Sequence, residues 1–250
     1  MYQTVNIPIQ AIQYARQRKQ FSEARVFIAM KFIGSGQIKR NSLPIDELCE
    51  LSGFSDPRTV EKHIHTLLRM NWLGTDGTWL FIRGWNRIQE FTGATSRTTV
   101  EISRTQLNDL DDILLGSVLA TAERRKRNAR KKAGAEPTPL QPFSGDTLTD
   151  PEEYQTGAFS CSYIGELFNV SPSTACRMKQ RAKQKGYFTY QHNTKDTGVY
   201  RANIAEIENS FSIDRTRLFI RNGTVHIRLT DTFSFGRNGY HKYHFKTRRQ

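Results

Sequence analysis

The sequence predicts an α+β fold that is mainly α-helical, carries small β elements and uses one structural unit twice. Three observations lead to this expectation. Two segments about 116 positions apart repeat the same order of apolar, turn-forming and helix-capping residues. Each segment is followed by short alternating apolar runs around a polar tip, which is typical of a strand pair. A long stretch with helical periodicity separates the two, and 250 residues are enough to bury a core in each.

The repeat is clearest between LCELSGFSDPRTV (48–60) and IGELFNVSPSTA (164–175). The first segment has one extra residue in its turn, Asp56, so the offset falls from 116 to 115 beyond it. Self-similarity of this kind indicates one supersecondary unit used twice. The corresponding pairs are Leu48 and Ile164, Glu50 and Glu166, Leu51 and Leu167, Phe54 and Val170, Ser55 and Ser171, Pro57 and Pro172, Thr59 and Thr174, Val60 and Ala175, and Lys62 and Arg177.

Local backbone chemistry gives each segment two helices joined by a tight turn. The first helix ends at Gly53 or Asn169, residue types that tolerate the left-handed conformation at a helix C-terminus. A polar N-cap, Asp56 or Ser171, followed by proline at the first helical position then starts the second helix. This is the helix-turn-helix layout, and the run VSPSTA is similar to the start of the recognition helix in many bacterial regulators.

Strand pairs after each second helix predict the winged form of this motif. In GTDGTWLFIRGW (74–85), Asp76-Gly77 marks a tight turn between two short strands. In TYQHNTKDTGVYRANI (189–204), the polar tip Asn193–Gly198 separates two more. We therefore expect two winged helix-turn-helix domains in tandem, with a C-terminal β-hairpin and a basic tail.

The remaining features set the domain boundaries. Ser103 is the predicted N-cap of a long helix that opens the second unit, and residues 134–153 contain four of the eight prolines. Asn222-Gly223 between two alternating runs predicts the β-hairpin. The predicted order is an N-terminal arm over 1–20, a winged-helix domain over 21–91, a linker or strand over 92–102, a second winged-helix domain over 103–204, and the hairpin and tail over 205–250. Within the second domain we expect a helix at 103–132, a flexible loop at 134–157, the helix-turn-helix at 160–186 and the wing at 187–203.

Helical periodicity gives both second helices an apolar and a polar side. Apolar residues cluster on one side of helix 56–70 and, as smaller residues, on one side of helix 172–185. Donors suited to bases and phosphates lie opposite. The predicted DNA contacts of the first helix are Arg58, Thr59, Lys62, His65, Thr66 and Arg69. Those of the second are Ser173, Thr174, Arg177, Gln180, Arg181 and Gln184, with Lys195 added from its wing.

The second of these helices is the more basic, with five lysine or arginine residues and no acid over 172–185, so we expect it to bind DNA more tightly. Lys179 falls at the position of Ile64, which belongs to the core side of the first helix. Either the stem of Lys179 packs while its ammonium reaches solvent, or the second core is thinner than the first.

Net charge indicates a polyanionic partner. The chain carries +13, of which residues 122–134 hold +6 and residues 236–250 hold +5, leaving +2 for the rest. The run RRKRNARKK at the end of the long helix either tracks phosphates, through Arg127, Arg130 and Lys131, or is a solvated helix end. The tail interleaves aromatic and basic residues, and either contacts nucleic acid or is disordered.

No enzyme is predicted. His63-Ile64-His65 matches the letters of the metal motif of rolling-circle nucleases, but residues two apart on a helix point about 200° apart. His241 and His244 lack partners at ligand spacing, and neither a phosphate-binding glycine loop nor a nucleophile elbow is present. We therefore expect no metal and no cofactor. Three cysteines without C-x-x-C spacing, no signal-like N-terminus and no apolar run of membrane length predict a cytoplasmic, nucleoid-associated protein without membrane contact.

Residues 21–91 and about 103–204 resemble two groups of tandem winged-helix proteins. One is the transcription regulators of bacteria and their mobile elements. The other is the plasmid and phage replication initiators, in which one unit dimerises and the other binds origin repeats. The resemblance implies binding to double-stranded DNA, with transcription regulation favoured by prevalence and replication initiation as the alternative. A non-catalytic module that binds protein through its winged helices is a third reading, and a homodimer and replication or transcription proteins are left open as partners.

Overall fold

The computed structural model describes residues 4–34, 36–96, 98–132, 159–191, 194–200, 218–228, 232–234 and 245–247. Over these residues the chain is an α+β protein with several helices and small antiparallel sheets. The flexible loop predicted at 134–157 and most of the basic tail lie outside the described residues. Within the described ranges, no helix combines the length and the apolar character needed to cross a membrane.

The elements follow one another with short connections in the first half of the chain. The helices are α1 (Ile9–Gln17), α2 (Phe21–Ile33), α3 (Ile45–Ser52), α4 (Pro57–Arg69), α5 (Trp85–Thr92), α6 (Leu110–Lys132), α7 (Cys161–Phe168) and α8 (Pro172–Gln184), with 3-10 helices at Arg40–Ser42 and Arg104–Asp109. The strands are β1 (Thr4–Pro8), β2 (Gln37–Lys39), β3 (Leu73–Thr75), β4 (Trp79–Ile82), β5 (Thr98–Ser103), β6 (Thr189–Gln191), β7 (Thr194–Tyr200), β8 (Leu218–Arg221), β9 (Thr224–Arg228), β10 (Thr232–Ser234) and β11 (Phe245–Thr247). The sheets have the strand orders β1-β5-β11, β2-β4-β3, β6-β10 and β7-β9-β8.

Helices α2, α3 and α4 pack on one another, and α2 and α4 also pack on the sheet β2-β4-β3. Helix α3 ends where Gly53 adopts a φ of 73°, and the amide of Phe54 donates to the carbonyl of Cys49. Helix α4 begins where the carboxylate of Asp56 accepts a hydrogen bond from the amide of Arg58. Strand β2 has only three residues, too few for an alternating pattern to indicate it in the sequence.

Helices α7 and α8 form a second helix pair, and α8 also packs on α6. Helix α7 ends at Asn169, with a φ of 52°, and the amide of Val170 donates to the carbonyl of Gly165. The side chain of Ser171 caps α8 by accepting from the amide of Thr174. Matching amide-to-carbonyl bonds close both second helices: Met70 to Thr66, Asn71 to Leu68 and Trp72 to Leu67 in the first, and Lys185 to Arg181, Gly186 to Lys183 and Tyr187 to Ala182 in the second. The repeat predicted from the sequence is therefore present as two helix pairs with matching ends.

The wing predicted over 187–203 is wrong in its strand pairing. Strand β6 pairs with β10, whereas β7 pairs with β9 in a different sheet. The reason is packing between distant residues. The ring of Phe233 on β10 lies against the rings of Phe188 and Tyr190. The polar tip that was predicted to close the wing has no aromatic side chain that could replace Phe233. Residues 192–231 are therefore an insertion between β6 and its partner strand.

The N-terminal arm predicted over 1–20 is also wrong, because its described residues belong to the folded body. Strand β1 pairs antiparallel with β5 along its full length, and Val5 and Ile7 are buried. Helix α1 packs on α2, α6 and α7. The linker or strand predicted over 92–102 contains most of β5, the central strand of this sheet.

The helix predicted over 103–132 starts later than expected. Strand β5 runs to Ser103, a 3-10 helix covers Arg104–Asp109, and α6 begins at Leu110. Ser103 is the N-cap, as predicted, since it forms a capping box with Gln106, but the turns that it caps are 3-10.

One hydrophobic core runs through both helix units. Trp72 packs edge-on against Phe27 in the first unit, with ring centroids 5.2 Å apart. The predicted hairpin at 218–229 is confirmed as β8 and β9, joined by Asn222 and Gly223 with φ values of 52° and 81°. This hairpin belongs to the insertion, whose buried residues Val225 and Ile227 lie outside the common core.

Candidate nucleic-acid interface

Helix α4 has a polar outer side above a buried apolar side. Val60, Ile64 and Leu67 are buried, and α4 packs on α2 and α3. The six residues predicted to contact DNA lie on the other sides of the helix, as the helical period requires. Of these, Arg58, Lys62, His65 and Arg69 are exposed, and Thr59 and Thr66 are half-buried.

Hydrogen bonds within α4 leave three donor side chains without a partner in the described part of the chain. The hydroxyl of Thr66 donates to the carbonyl of Lys62 at 3.1 Å, and Nη2 of Arg69 donates to the hydroxyl of Thr66 at 3.1 Å. The side chains of Arg58, Lys62 and His65 make no hydrogen bond or ion pair to other described residues. These donors therefore face solvent and can meet an external acceptor.

The two histidines of the H-x-H run lie on different sides of α4. Nδ1 of His63 is 3.1 Å from Oε1 of Glu23 on α2, and its ring packs against Phe54 at a centroid distance of 5.0 Å, whereas His65 is exposed. The pair does not share a face. Over the described residues, no group of three or more His, Cys, Asp or Glu side chains is arranged to hold a metal ion.

Helix α8 is built on the same plan with smaller buried residues. Ala175, Met178 and Ala182 are buried. Five of its six predicted contacts, Ser173, Arg177, Gln180, Arg181 and Gln184, are exposed, and Thr174 is half-buried. The small buried residues fit the close approach of α8 to α6 and α7.

Hydroxyl groups cluster at the N-terminus of α8. Oγ of Ser171 lies 3.0 Å from the hydroxyl of Ser173 and 2.9 Å from that of Thr174. Nη2 of Arg177 donates to the hydroxyl of Thr174 at 3.3 Å, which extends the cluster along the helix. Donors at the positive end of a helix dipole suit a negatively charged group.

The position of Arg181 differs from the DNA contact predicted for it. Its Nε donates to Oδ1 of Asp112 on α6 at 2.7 Å, and Asp112 is 1% exposed. Lys185 donates to Asp112 at 2.8 Å and to Asp109 at 2.6 Å, and these hydrogen bonds raise the pKa of Lys185. Burial, with the charge of Asp109, raises the pKa of Tyr187 beside them. Arg181 therefore joins α8 to α6. The sequence did not indicate this contact, because the periodicity of α8 carries no information about acidic residues on another helix.

Lys179 is a core residue with a charged end. It is 5% exposed, and its Nζ lies 4.3 Å from the ring centroid of Tyr190 on β6 and 4.9 Å from that of Phe233 on β10. Of the two alternatives, its stem packs in the core, but the ammonium meets two aromatic faces in place of solvent. The same rings that pair β6 with β10 thus also fix α8.

Two exposed cations that the sequence did not indicate lie beside the turn between β3 and β4. Lys39 on β2 lies opposite Trp79 on β4, both are solvent-exposed, and the exposed Arg40 comes next in the chain. The amide of Arg40 donates to the carbonyl of Thr78, and the carboxylate of Asp76 accepts from the amides of Thr78 and Trp79. These hydrogen bonds hold the turn between β3 and β4 in place. A three-residue strand gives no pattern that could have indicated these residues.

The remaining predicted residues lie outside the two helices. Lys195 is half-buried on β7 of the inserted sheet, opposite Ile227 of β9. Arg127, Arg130 and Lys131 belong to the C-terminal half of α6, whose backbone is helical, and their side chains lie outside the described part.

Comparison of the chain with protein-family models, with curated proteins and with solved structures found no match in any of the three.

Proposed function

We propose that this protein binds double-stranded DNA in a sequence-specific manner through two winged helix-turn-helix units and regulates transcription. The observation that carries the proposal is that α4 and α8 occupy equivalent places in two matching helix pairs, and both turn donor side chains to solvent. An α-helix fits the major groove of DNA, where arginine, lysine and glutamine distinguish bases by their edges.

In α8, the proposed base-reading residues are Arg177 and Gln180. Both are exposed, and they lie three positions apart on neighbouring turns. Arginine pairs with the acceptors of guanine and glutamine with the edge of adenine. The hydroxyls of Ser173 and Thr174, at the helix N-terminus, would hold a phosphate and so set the depth of the helix in the groove.

In α4, the proposed contacts are the exposed cations Arg58, Lys62 and Arg69. Lys39 and Arg40 lie beside the turn between β3 and β4. There they are placed to contact the phosphate backbone, as the wing of a winged helix-turn-helix does. Arg181 and Lys185 are left out of the proposed interface, because they already form ion pairs with Asp109, Asp111 and Asp112.

Substitution of Arg177 by alanine tests the base-reading role. Because Arg177 is exposed, R177A leaves the core intact, and it should lower discrimination at one base pair by about 1–3 kcal/mol. The measurement is a selection of bound sequences from random duplexes, followed by affinities for the selected site and its single-base variants. Arg87→Ala on α5 is the matched control, since Arg87 is exposed and contacts Glu90 and Phe91 of its own helix. Equal weakening on every sequence would make Arg177 a phosphate contact.

The selected sites also separate the functions. A single site of promoter type supports a regulator. Several copies of the site in direct repeat, with strand melting, support a replication initiator. Failure to bind any duplex, at low as well as high salt, would leave protein interaction as the function.

A further inference from the structure

The internal repeat extends beyond the helix pairs to the elements that precede them. The first unit follows β1 and α1, and the second follows β5 and the 3-10 helix at 104–109. Strands β1 and β5 pair antiparallel over five residues, with Asn6 opposite Glu101 at the centre. The hydrogen bonds of an antiparallel pair are exchanged reciprocally, so a half-turn about its centre superposes one strand on the other.

Contacts between the units are reciprocal as well. Nδ2 of Asn169, at the turn of the second helix pair, donates to the carbonyl of Gln17 on α1 at 3.0 Å. Gly53 holds the same place in the first turn, and a β-carbon there would lie 3.0 Å from Oδ1 of Asn108 in the 3-10 helix. The turn of each helix pair therefore contacts the element that precedes the other unit.

A second set of contacts follows the same rule. Arg104 of the 3-10 helix forms an ion pair with Glu47 on α3. Nε2 of Gln17 on α1 donates to the carbonyl of Leu167 on α7 at 2.9 Å. The 3-10 helix of the second unit thus contacts α3 of the first, and α1 of the first contacts α7 of the second. Such paired contacts between corresponding elements are the property of an isologous, two-fold interface.

We infer that an approximate two-fold axis through the β1–β5 pair relates the two units, and that a single chain binds an inverted repeat of two unlike half-sites. The second part of this inference rests on the proposed DNA binding. The symmetry of a binding site mirrors that of the protein. A chain with internal two-fold symmetry does alone what two identical subunits do together, and its two helices meet the duplex in opposite orientations.

The half-sites differ because equivalent outer positions of α4 and α8 hold different side chains. The helix start is shared, since Thr59 and Thr174 correspond. Different donors prefer different bases, so each helix selects its own half-site. The exposed positions that correspond but differ are Arg58 and Ser173, Lys62 and Arg177, His65 and Gln180, and Arg69 and Gln184.

Equalising the two outer sides tests the inference. The variant R58S/K62R/H65Q/R69Q gives α4 the side chains that α8 holds at four corresponding positions, and all four are exposed, so folding should be retained. Selection from random duplexes should return two unlike half-sites for the unchanged chain and a palindrome for the variant. Sedimentation on a selected duplex should give one chain per duplex in both cases. The variant should bind the palindrome at least about tenfold more tightly than the original site.

The outcomes separate this inference from the proposed function. Arg87→Gln on α5 should leave the selected site unchanged, which controls for the loss of a surface cation. A variant that selects a direct repeat, or two chains on one duplex, overturns the two-fold arrangement while DNA binding stands. Failure of the unchanged chain to bind any duplex overturns both.

Discussion

Two charged residues of the second unit, Asp112 and Lys179, are almost fully buried, and each has partners that neutralise or accommodate it. Asp112 accepts from Arg181 and Lys185, while Lys179 points at aromatic rings. Alignment of the two repeats placed Lys179 in the core from the sequence alone, because the position equivalent to it holds Ile64. Its partners could not be predicted, since Phe233 lies far along the chain and only the fold brings it near.

Neutralising Asp112 should destabilise the second unit. Asp112→Asn removes the charge that accepts two charge-assisted hydrogen bonds, and we expect a loss of about 1–3 kcal/mol in the free energy of unfolding. Chemical denaturation measures this loss. Glu90→Gln is the matched control, because its pair with Arg87 is more than half exposed and should contribute less than about 0.5 kcal/mol. Equal losses in the two variants would contradict the role of Asp112 in holding α8.

At the scale of elements, features decided by neighbouring residues were predictable and those decided by distant ones were not. The helix ends at Gly53 and Asn169 and the Asn222-Gly223 turn follow from local backbone preferences. The pairing of β6 with β10 does not, because 40 residues separate the strands. The outer sides of α4 and α8 were predictable from helical period, but the ion pairs of Arg181 were not, because its aspartate partners lie on another helix.

Gly165 shows how the length of a turn constrains a helix. A β-carbon at Gly165 would lie 2.8 Å from the backbone carbonyl oxygen of Val170, closer than such atoms approach. The first unit accommodates Cys49 at the equivalent position, where its turn is one residue longer. A shorter turn thus brings the backbone onto the helix and requires a residue without a side chain.

Gly165→Ala should therefore lower the free energy of unfolding. Overpacking against backbone costs about 1–3 kcal/mol, which exceeds the gain of up to about 1 kcal/mol that alanine brings to a helix. Thermal and chemical unfolding measure the net change. Gly84→Ala is the control, because a β-carbon at Gly84 meets no atom within 4 Å. A stabilised Gly165→Ala variant would show that the turn relaxes freely.

At the scale of the molecule, one core joins both units, and the buried residues Val225 and Ile227 of the insertion lie outside it. Composition and charge predicted the size and the basic character of the chain, but neither could show that β1 and β5 pair. The apolar patterns of β1 and α1 are too short to show which strand or helix these elements pack against. Only the pairing of β1 with β5 shows that residues 4–8 belong to the body.

Replacement of residues 192–231 by Asn-Gly should leave both helix units folded. Gln191 lies opposite Thr232, so a two-residue turn closes β6 and β10 in their existing register. We expect helical circular dichroism and a single cooperative thermal transition. Deleting Gln191 as well shifts the register by one residue and turns Phe233 to the opposite face, so this second variant should be clearly less stable. Loss of cooperative unfolding in the first variant would show that the insertion is part of the core.

The pairing of β1 with β5 also bears on how the chain acquires its structure during synthesis. Strand β1 leaves the ribosome before β5, the strand opposite it, which is made more than 90 residues later. Strand β10, which completes the pair with β6, is likewise made about 40 residues after it. Neither helix unit can therefore complete its contacts as it emerges, because each waits for a strand that is made later.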